Sequence, residues 1–147
     1  LNSILAKIET HKAGYAEAIM INEQGMVADG SGENIFVVKN GVMLTPPMSA
    51  SILEGITRNS IKEIARAEGY EVVERDIARA ELYTADEVFV TGTAAEVCPI
   101  RSVDDHVIGP PGPITRRMQD VFEAVIHGRD PRWSHWLDYV TAATPAG

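Results

Sequence analysis

Three short stretches of the chain join glycine to carboxylate or hydroxyl groups: "DGSGEN" at 29–34, "LEGITRNS" at 53–60 and "VTGTAAE" at 90–96. In the first, Gly30 and Gly32 let the backbone bend closely around a ligand, while Asp29 and Glu33 bring negative charge that suits a cation. The second opens a helix, whose first N–H groups have no intrahelical partners and attract anions; Gly55 allows close approach and Thr57 adds a hydroxyl donor. The third follows an apolar strand, and Gly92, Thr93, Ala94 and Ala95 leave N–H groups open to a phosphate or carboxylate. Each stretch also has a plain reading, as a turn, a helix cap and a strand-to-strand turn. Together they give two anion-binding loops and one cation-binding carboxylate, and spacing alone does not show that they converge.

Other chemistries find little in the sequence. His11, His106, His127 and His135 are scattered, with no His or Cys pair at metal-ligand spacing, which speaks against a zinc site. No G-x-S-x-G or G-x-x-x-x-G-K is present. Cys98, before Pro99 and without a nearby base, reads as a small buried residue. Trp133 and Trp136 read as anchors of the tail, and Arg116 and Arg117 as a solvated helix face. The 147 residues are 45% hydrophobic, enough for one domain with its own core. A formal charge of -8 speaks against a nucleic-acid surface. No apolar run approaches the roughly 20 residues that span a bilayer, and no signal peptide is evident at Leu1. With the single cysteine, these features lead us to expect a cytoplasmic protein without membrane contact.

The elements that must position the loops follow from periodicity. Leu1, Ile4, Leu5 and Ile8 fall at helical spacing, with neither a start Met nor a cap before them, so the chain is expected to begin inside an element, lacking an N-terminal portion. That helix should end near Gly14. "AEAIMINEQGMVADG" predicts two short strands around the turn at 22–25, and "NIFVVKNGVMLTP" a hairpin on the type I′ turn Asn40-Gly41. "TRNSIKEIARAEGY" predicts a helix with Ser60 and Glu63 at capping-box spacing and Gly69 at its end. A strand near "EVVERDI", a short helix near "RAELYTA", a β-rich run over 86–109 and a helix from Pro113 to Gly128 complete the order. The pattern implies one α+β domain with a mixed, mostly antiparallel, barrel-like sheet and flanking helices.

Taken in order, "DGSGENIF", "MLT" and "LEGITR", followed by "VTGTAAEVCPIRSVD", resemble the signature of the class IV, fold type IV, pyridoxal-phosphate-dependent aminotransferases. The signature runs from an acidic residue through a small residue and an Asn to a Thr and an apolar-x-Gly-apolar-x-basic run. The resemblance is to the C-terminal large domain of the family, and within it to the branched-chain amino acid aminotransferases. It implies a cofactor-binding domain over residues 1–140, truncated at its N-terminus, with a frayed tail at 141–147. It also implies pyridoxal 5′-phosphate as cofactor, amino acids (Leu, Ile, Val) and 2-oxo acids, 2-oxoglutarate among them, as substrates, and a homodimer or larger assembly.

By the same resemblance Asp29 pairs with the pyridine nitrogen, with Glu33 as the alternative. The family usually has Glu at this position, and Asp reaches about 1.5 Å less. Leu53 lies against the ring, Gly55 and Gly92 permit close approach, and Ile56, Thr57 and Thr93 hold the phosphate. Thr93 and Ala94 receive the substrate carboxylate. The lysine that forms the Schiff base lies upstream of Leu1 in the family, and Lys7, Lys12 and Lys39 do not match it. The isolated chain, without that lysine and without the small N-terminal domain, is therefore expected to be inactive. A D-amino acid aminotransferase or aminodeoxychorismate lyase of the same family is the alternative enzyme, and a non-catalytic anion-binding module is the alternative outside enzymes.

Overall fold

The computed structural model describes residues 1–140; the tail expected at 141–147 lies outside the described residues. The chain runs α1 (Asn2–Lys12), β1 (Ile19–Ile21), β2 (Val27–Gly30), β3 (Asn34–Lys39), β4 (Val42–Thr45), α2 (Ile56–Ala67) and β5 (Val72–Glu74). It continues α3 (Arg79–Tyr83), β6 (Glu87–Gly92), β7 (Glu96–Pro99), β8 (Ser102–Val103), β9 (His106–Val107) and α4 (Pro113–Ile126), then a 3-10 turn over Pro131–Trp136.

Five strands form one sheet in the order β5-β4-β3-β6-β7. Every neighbouring pair is antiparallel except β4 and β5. The mixed, mostly antiparallel sheet with flanking helices is as expected, but the barrel-like closure is not: among the described residues the sheet stays open, with β5 and β7 as its edges. The β3–β4 hairpin turns on Asn40 and Gly41, both at positive φ (51° and 78°), which is the type I′ geometry their sequence predicts.

Alternation along β3 splits the core into two layers. Phe36 and Val38 point to one face, where Phe36 stacks on its cross-strand partner Phe89 with ring centroids 5.0 Å apart. That face packs against Ile61, Ile64 and Ala65 of α2 and Met118, Val121 and Val125 of α4. Ile35 and Val37 point the other way, to a second cluster with Val27, Ile77, Leu82 and Val90. Trp133 is buried in the first cluster with Trp136 4.2 Å from it, the anchoring role read from the sequence. None of α1 is buried, and Leu1, Ile4, Leu5 and Ile8 are exposed.

Helix ends depart from the sequence reading in instructive ways. Helix α2 begins at Ile56 with Gly55 at its N-cap, so the expected capping box at Ser60 and Glu63 lies inside the helix; Ser60 Oγ donates instead to the Ile56 carbonyl (3.1 Å). Helix α4 is capped from a distant strand. The Ile114 and Thr115 N–H groups donate to the two carboxylate oxygens of Glu87, at 3.1 and 2.7 Å, and Glu87 is itself buried. Gly112, before that helix, is needed for this cap, because an added Cβ would lie 2.2 Å from Glu87 Cδ. Glu87→Ala leaves two buried donors unpaired and is expected to cost about 2 kcal/mol or more in urea denaturation. A loss within experimental error would show that water replaces the cap.

Candidate active site

The three loops singled out by composition do converge. The link between the first and second is direct: the Leu53 N–H donates to Asp29 Oδ2 at 2.9 Å, and Asn34 Nδ2 donates to the Leu53 carbonyl at 2.7 Å. The first and third are joined by pairing of β3 with β6, which sets Asn34 opposite Thr91. A Cβ added to Gly92 would lie 3.4 Å from Glu33 Cγ. The "DGSGEN" bend is closed by the Gly30 N–H donating to the Glu33 carbonyl at 2.7 Å. Asp29 is thereby placed at the end of β2, beside the entry to α2.

Between the loops is a cleft of about 720 Å³. Asp29, Leu53 and Gly55 are on its wall, as are Ile56 and Thr57 at the start of α2. Gly92 and Thr93 close it from the end of β6, and Glu33 lines it too. Ala94 does not: it is exposed in the turn beyond Thr93. Thr91, fully buried, also contributes to the wall, and its Oγ1 has no hydrogen-bond partner among the described residues.

The charges of the cleft are uneven. Burial pushes the Asp29 carboxyl above its ordinary range, against hydrogen bonds from Leu53 and Asn34 and the nearby Arg58 guanidinium, which pull it down. Glu33 is also raised, first by burial and then by the Glu17 carboxylate beside it. Burial acts upward on Glu17 as well, but hydrogen bonds from Ser31 and Ala18 and the Lys7 ammonium, 3.2 Å away, bring it to about 2. Two carboxyls that pay for ionisation therefore face a space large enough for a ligand, and a cationic group there would relieve both.

No lysine is on that wall among the described residues. Lys7 pairs with Glu17, Lys39 with Asp86 at 3.6 Å, and Lys62 with Glu74 at 2.6 Å, while Lys12 is exposed at the end of α1. Among the described residues no three His, Cys, Asp or Glu side chains gather as a metal site. No described helix is long and apolar enough to cross a membrane. The expectation for Cys98 is corrected: it is exposed, because β7 is an edge strand whose alternate side chains meet solvent.

Two residues that matter here escaped the sequence reading. Asn34 was visible as a turn residue and as the Asn of the signature, with no role attached, yet it is buried and donates to both Asp29 Oδ1 (3.0 Å) and Leu53. Thr91 carried no signal beyond its place two residues before Thr93.

Known proteins share this arrangement. The family described as amino-transferase class IV matches residues 1–103. A probable branched-chain-amino-acid aminotransferase of Aquifex aeolicus is 52% identical over 140 residues, covering 93% of this chain and 45% of the relative. The branched-chain-amino-acid aminotransferase of Escherichia coli K12 is 45% identical over 143 residues, covering 95% and 46%. In the solved T.th. branched-chain amino acid aminotransferase complexed with N-(5′-phosphopyridoxyl)-L-glutamate, 46% identity accompanies a TM-score of 0.92, over 95% of this chain and 48% of that one. The Thermoproteus uzoniensis branched-chain aminotransferase with norvaline gives 46% identity and a TM-score of 0.91, over 93% and 46%. The chain thus spans a little under half the length of the relatives it matches. With the cleft, its loops and these matches in agreement, the chain belongs to the class IV aminotransferases.

Proposed function

We propose that this chain is the cofactor-binding part of a pyridoxal 5′-phosphate-dependent transaminase that exchanges the amino group of Leu, Ile or Val with 2-oxoglutarate. The observation that carries the proposal is the pairing, within one cleft, of a half-buried carboxylate fixed by two donors with the open N-terminus of α2. A ligand with a cationic ring nitrogen at one end and a phosphate at the other suits that pairing. The partnerless Thr91 Oγ1 in the wall adds a donor that such a ligand, or water beside it, would satisfy.

In this reading Asp29 holds the ring nitrogen, and Leu53 lies against the ring. The Ile56 N–H, Thr57 and Thr93 hold the phosphate, the α2 dipole favouring its charge. Thr93 and Ala94 receive the substrate carboxylate, which orients the substrate by charge-assisted hydrogen bonds. When bound, the cofactor supplies an electron sink for the charge that develops as the amino acid loses its α-proton. Asp29, held by Leu53 and Asn34, would keep the ring nitrogen protonated. The substrate assignment draws on the solved relatives bound to a phosphopyridoxyl-glutamate and to norvaline. A homodimer or larger assembly and a cytoplasmic setting go with the family reading and form part of the proposal.

The test uses the intact protein, assayed with leucine, isoleucine or valine and 2-oxoglutarate; absence of turnover with all three would refute the substrate assignment. For the 147-residue chain, borohydride reduction with pyridoxal 5′-phosphate is expected to leave no stoichiometric label on one lysine. Such a label would show that the amine lies within this chain after all.

A further inference from the structure

We infer that Asn34 is the residue that positions the Asp29 carboxylate, and that Gly55 is glycine in order to leave room for the Asn34 amide. The inference rests on the functional reading above only in what Asp29 is positioned for. Asn34 is buried at the start of β3, and its Nδ2 bridges Asp29 Oδ1 (3.0 Å) and the Leu53 carbonyl (2.7 Å). Both partners are acceptors, so the amide nitrogen must face them; the opposite orientation would set three oxygens together. Leu53 completes the loop by donating its own N–H to Asp29 Oδ2 at 2.9 Å. Each carboxylate oxygen is thus held by one donor, and the carboxylate plane is fixed with respect to the cleft.

With Nδ2 so committed, Asn34 Oδ1 points at Gly55. A Cβ added there would lie 1.9 Å from Oδ1 and 3.1 Å from Cγ, far inside contact distance. Backbone conformation gives no other reason for glycine at this position, since Gly55 has φ −85° and ψ 133°, which any residue adopts. The amide cannot swing aside without giving up Asp29 or Leu53. The glycine of the second loop and the asparagine of the first therefore form one device, which ties the carboxylate to the N-terminus of α2.

The device has a signature distinct from general support of the fold. Loosening the cleft would hydrate Asp29 and bring its carboxyl down toward the ordinary range, because burial is what raises it. Losing the Asn34 donor with the cleft otherwise intact would raise it further, Leu53 and Arg58 remaining as the groups that lower it and Glu33 as the other carboxyl on the wall. Carbon-detected NMR titration of the ligand-free chain reads this directly, for Asn34→Ala and for Gly55→Ala, which displaces the amide while leaving Asn34 and Asp29 in the sequence.

Both variants are expected to raise the Asp29 titration midpoint. Both should also weaken binding of 4′-deoxypyridoxine 5′-phosphate, a ring-nitrogen and phosphate probe that needs no lysine, by about tenfold or more. An unchanged or lowered midpoint in both variants overturns the inference. Should Asn34→Ala lose its amide dispersion, Gly55→Ala decides alone. If the midpoint rises but the parent chain does not bind the probe, Asn34 stands as the positioning residue and the pyridoxal phosphate reading is the one that falls.

Discussion

Replacing Asp29 by Ala in the intact enzyme is expected to lower kcat by about two to three orders of magnitude while changing cofactor affinity much less, the scale seen when a preorganised electrostatic partner is removed from an active site. The phosphate seat proposed at α2 is untouched by the change, so most of the proposed binding contacts remain. On the proposed function, what is lost is the charge that would keep the ring nitrogen protonated, a contribution made largely as charge develops during proton removal. The change is read from steady-state kinetics together with a cofactor titration. Equal losses in both would mean that Asp29 serves binding alone, and unchanged turnover would move the role to Glu33.

The geometry favours Asp29 over Glu33 for that role. Both oxygens of Asp29 are held by donors, from Leu53 and Asn34, whereas the Glu33 carboxylate accepts from the N–H of its neighbour Gly32 at 3.2 Å and otherwise meets the Glu17 carboxylate. Glu33 also faces the ionised Glu17, which makes its own charge costly. Asp29→Glu keeps the charge but adds about 1.5 Å of reach. It should retain far more turnover than Asp29→Ala, with loss arising from the displaced Asn34 and Leu53 donors.

Local elements were legible because they depend on spacing within a few residues. The Asn40-Gly41 turn, the apolar stripe of α4 and the stop at Gly128 (φ 67°) all follow from neighbours in sequence. The order of the three loops was legible too, as a family pattern. Their convergence was not, since it depends on β3 pairing with β6 across a long stretch of intervening chain. For the same reason the Glu87 cap of α4 and the exposure of Cys98 on an edge strand could not be read from spacing. Gly55 is the sharpest case. Its sequence context suggested room for a ligand, and the structure shows the space filled by the Asn34 amide.

The basic position that ends "LEGITR" likewise had no role until the fold was known, and Arg58→Ala is expected to give the largest loss of stability, about 3–5 kcal/mol in urea denaturation. Arg58 is 1% exposed, yet charged. Its Nη2 donates to the Pro46 carbonyl and to Glu74, both at 2.8 Å, and its Nε to Thr45 Oγ1 at 3.3 Å. Thr45 in turn donates to the Ile35 carbonyl at 2.9 Å, so one guanidinium ties α2 to β3, β4 and β5 at the end of the sheet nearest the cleft. Truncation takes this donor from the Pro46 carbonyl and Thr45 Oγ1 beside a cavity, leaves Glu74 to Lys62, and removes the cation that helps keep Asp29 ionised. Arg58→Met fills the volume without the charge and should lose less, whereas a loss below about 1 kcal/mol for Ala would show that water substitutes for the guanidinium. The pair also sets a pH dependence. Hydrogen bonds from Lys62 and Arg58 hold Glu74 below the ordinary glutamate range, so its contribution is present above that range and is lost as pH falls through the lower folded value. With Arg58 gone only Lys62 depresses Glu74, and the acid limb of the stability curve should therefore flatten in the Arg58→Ala protein relative to the parent.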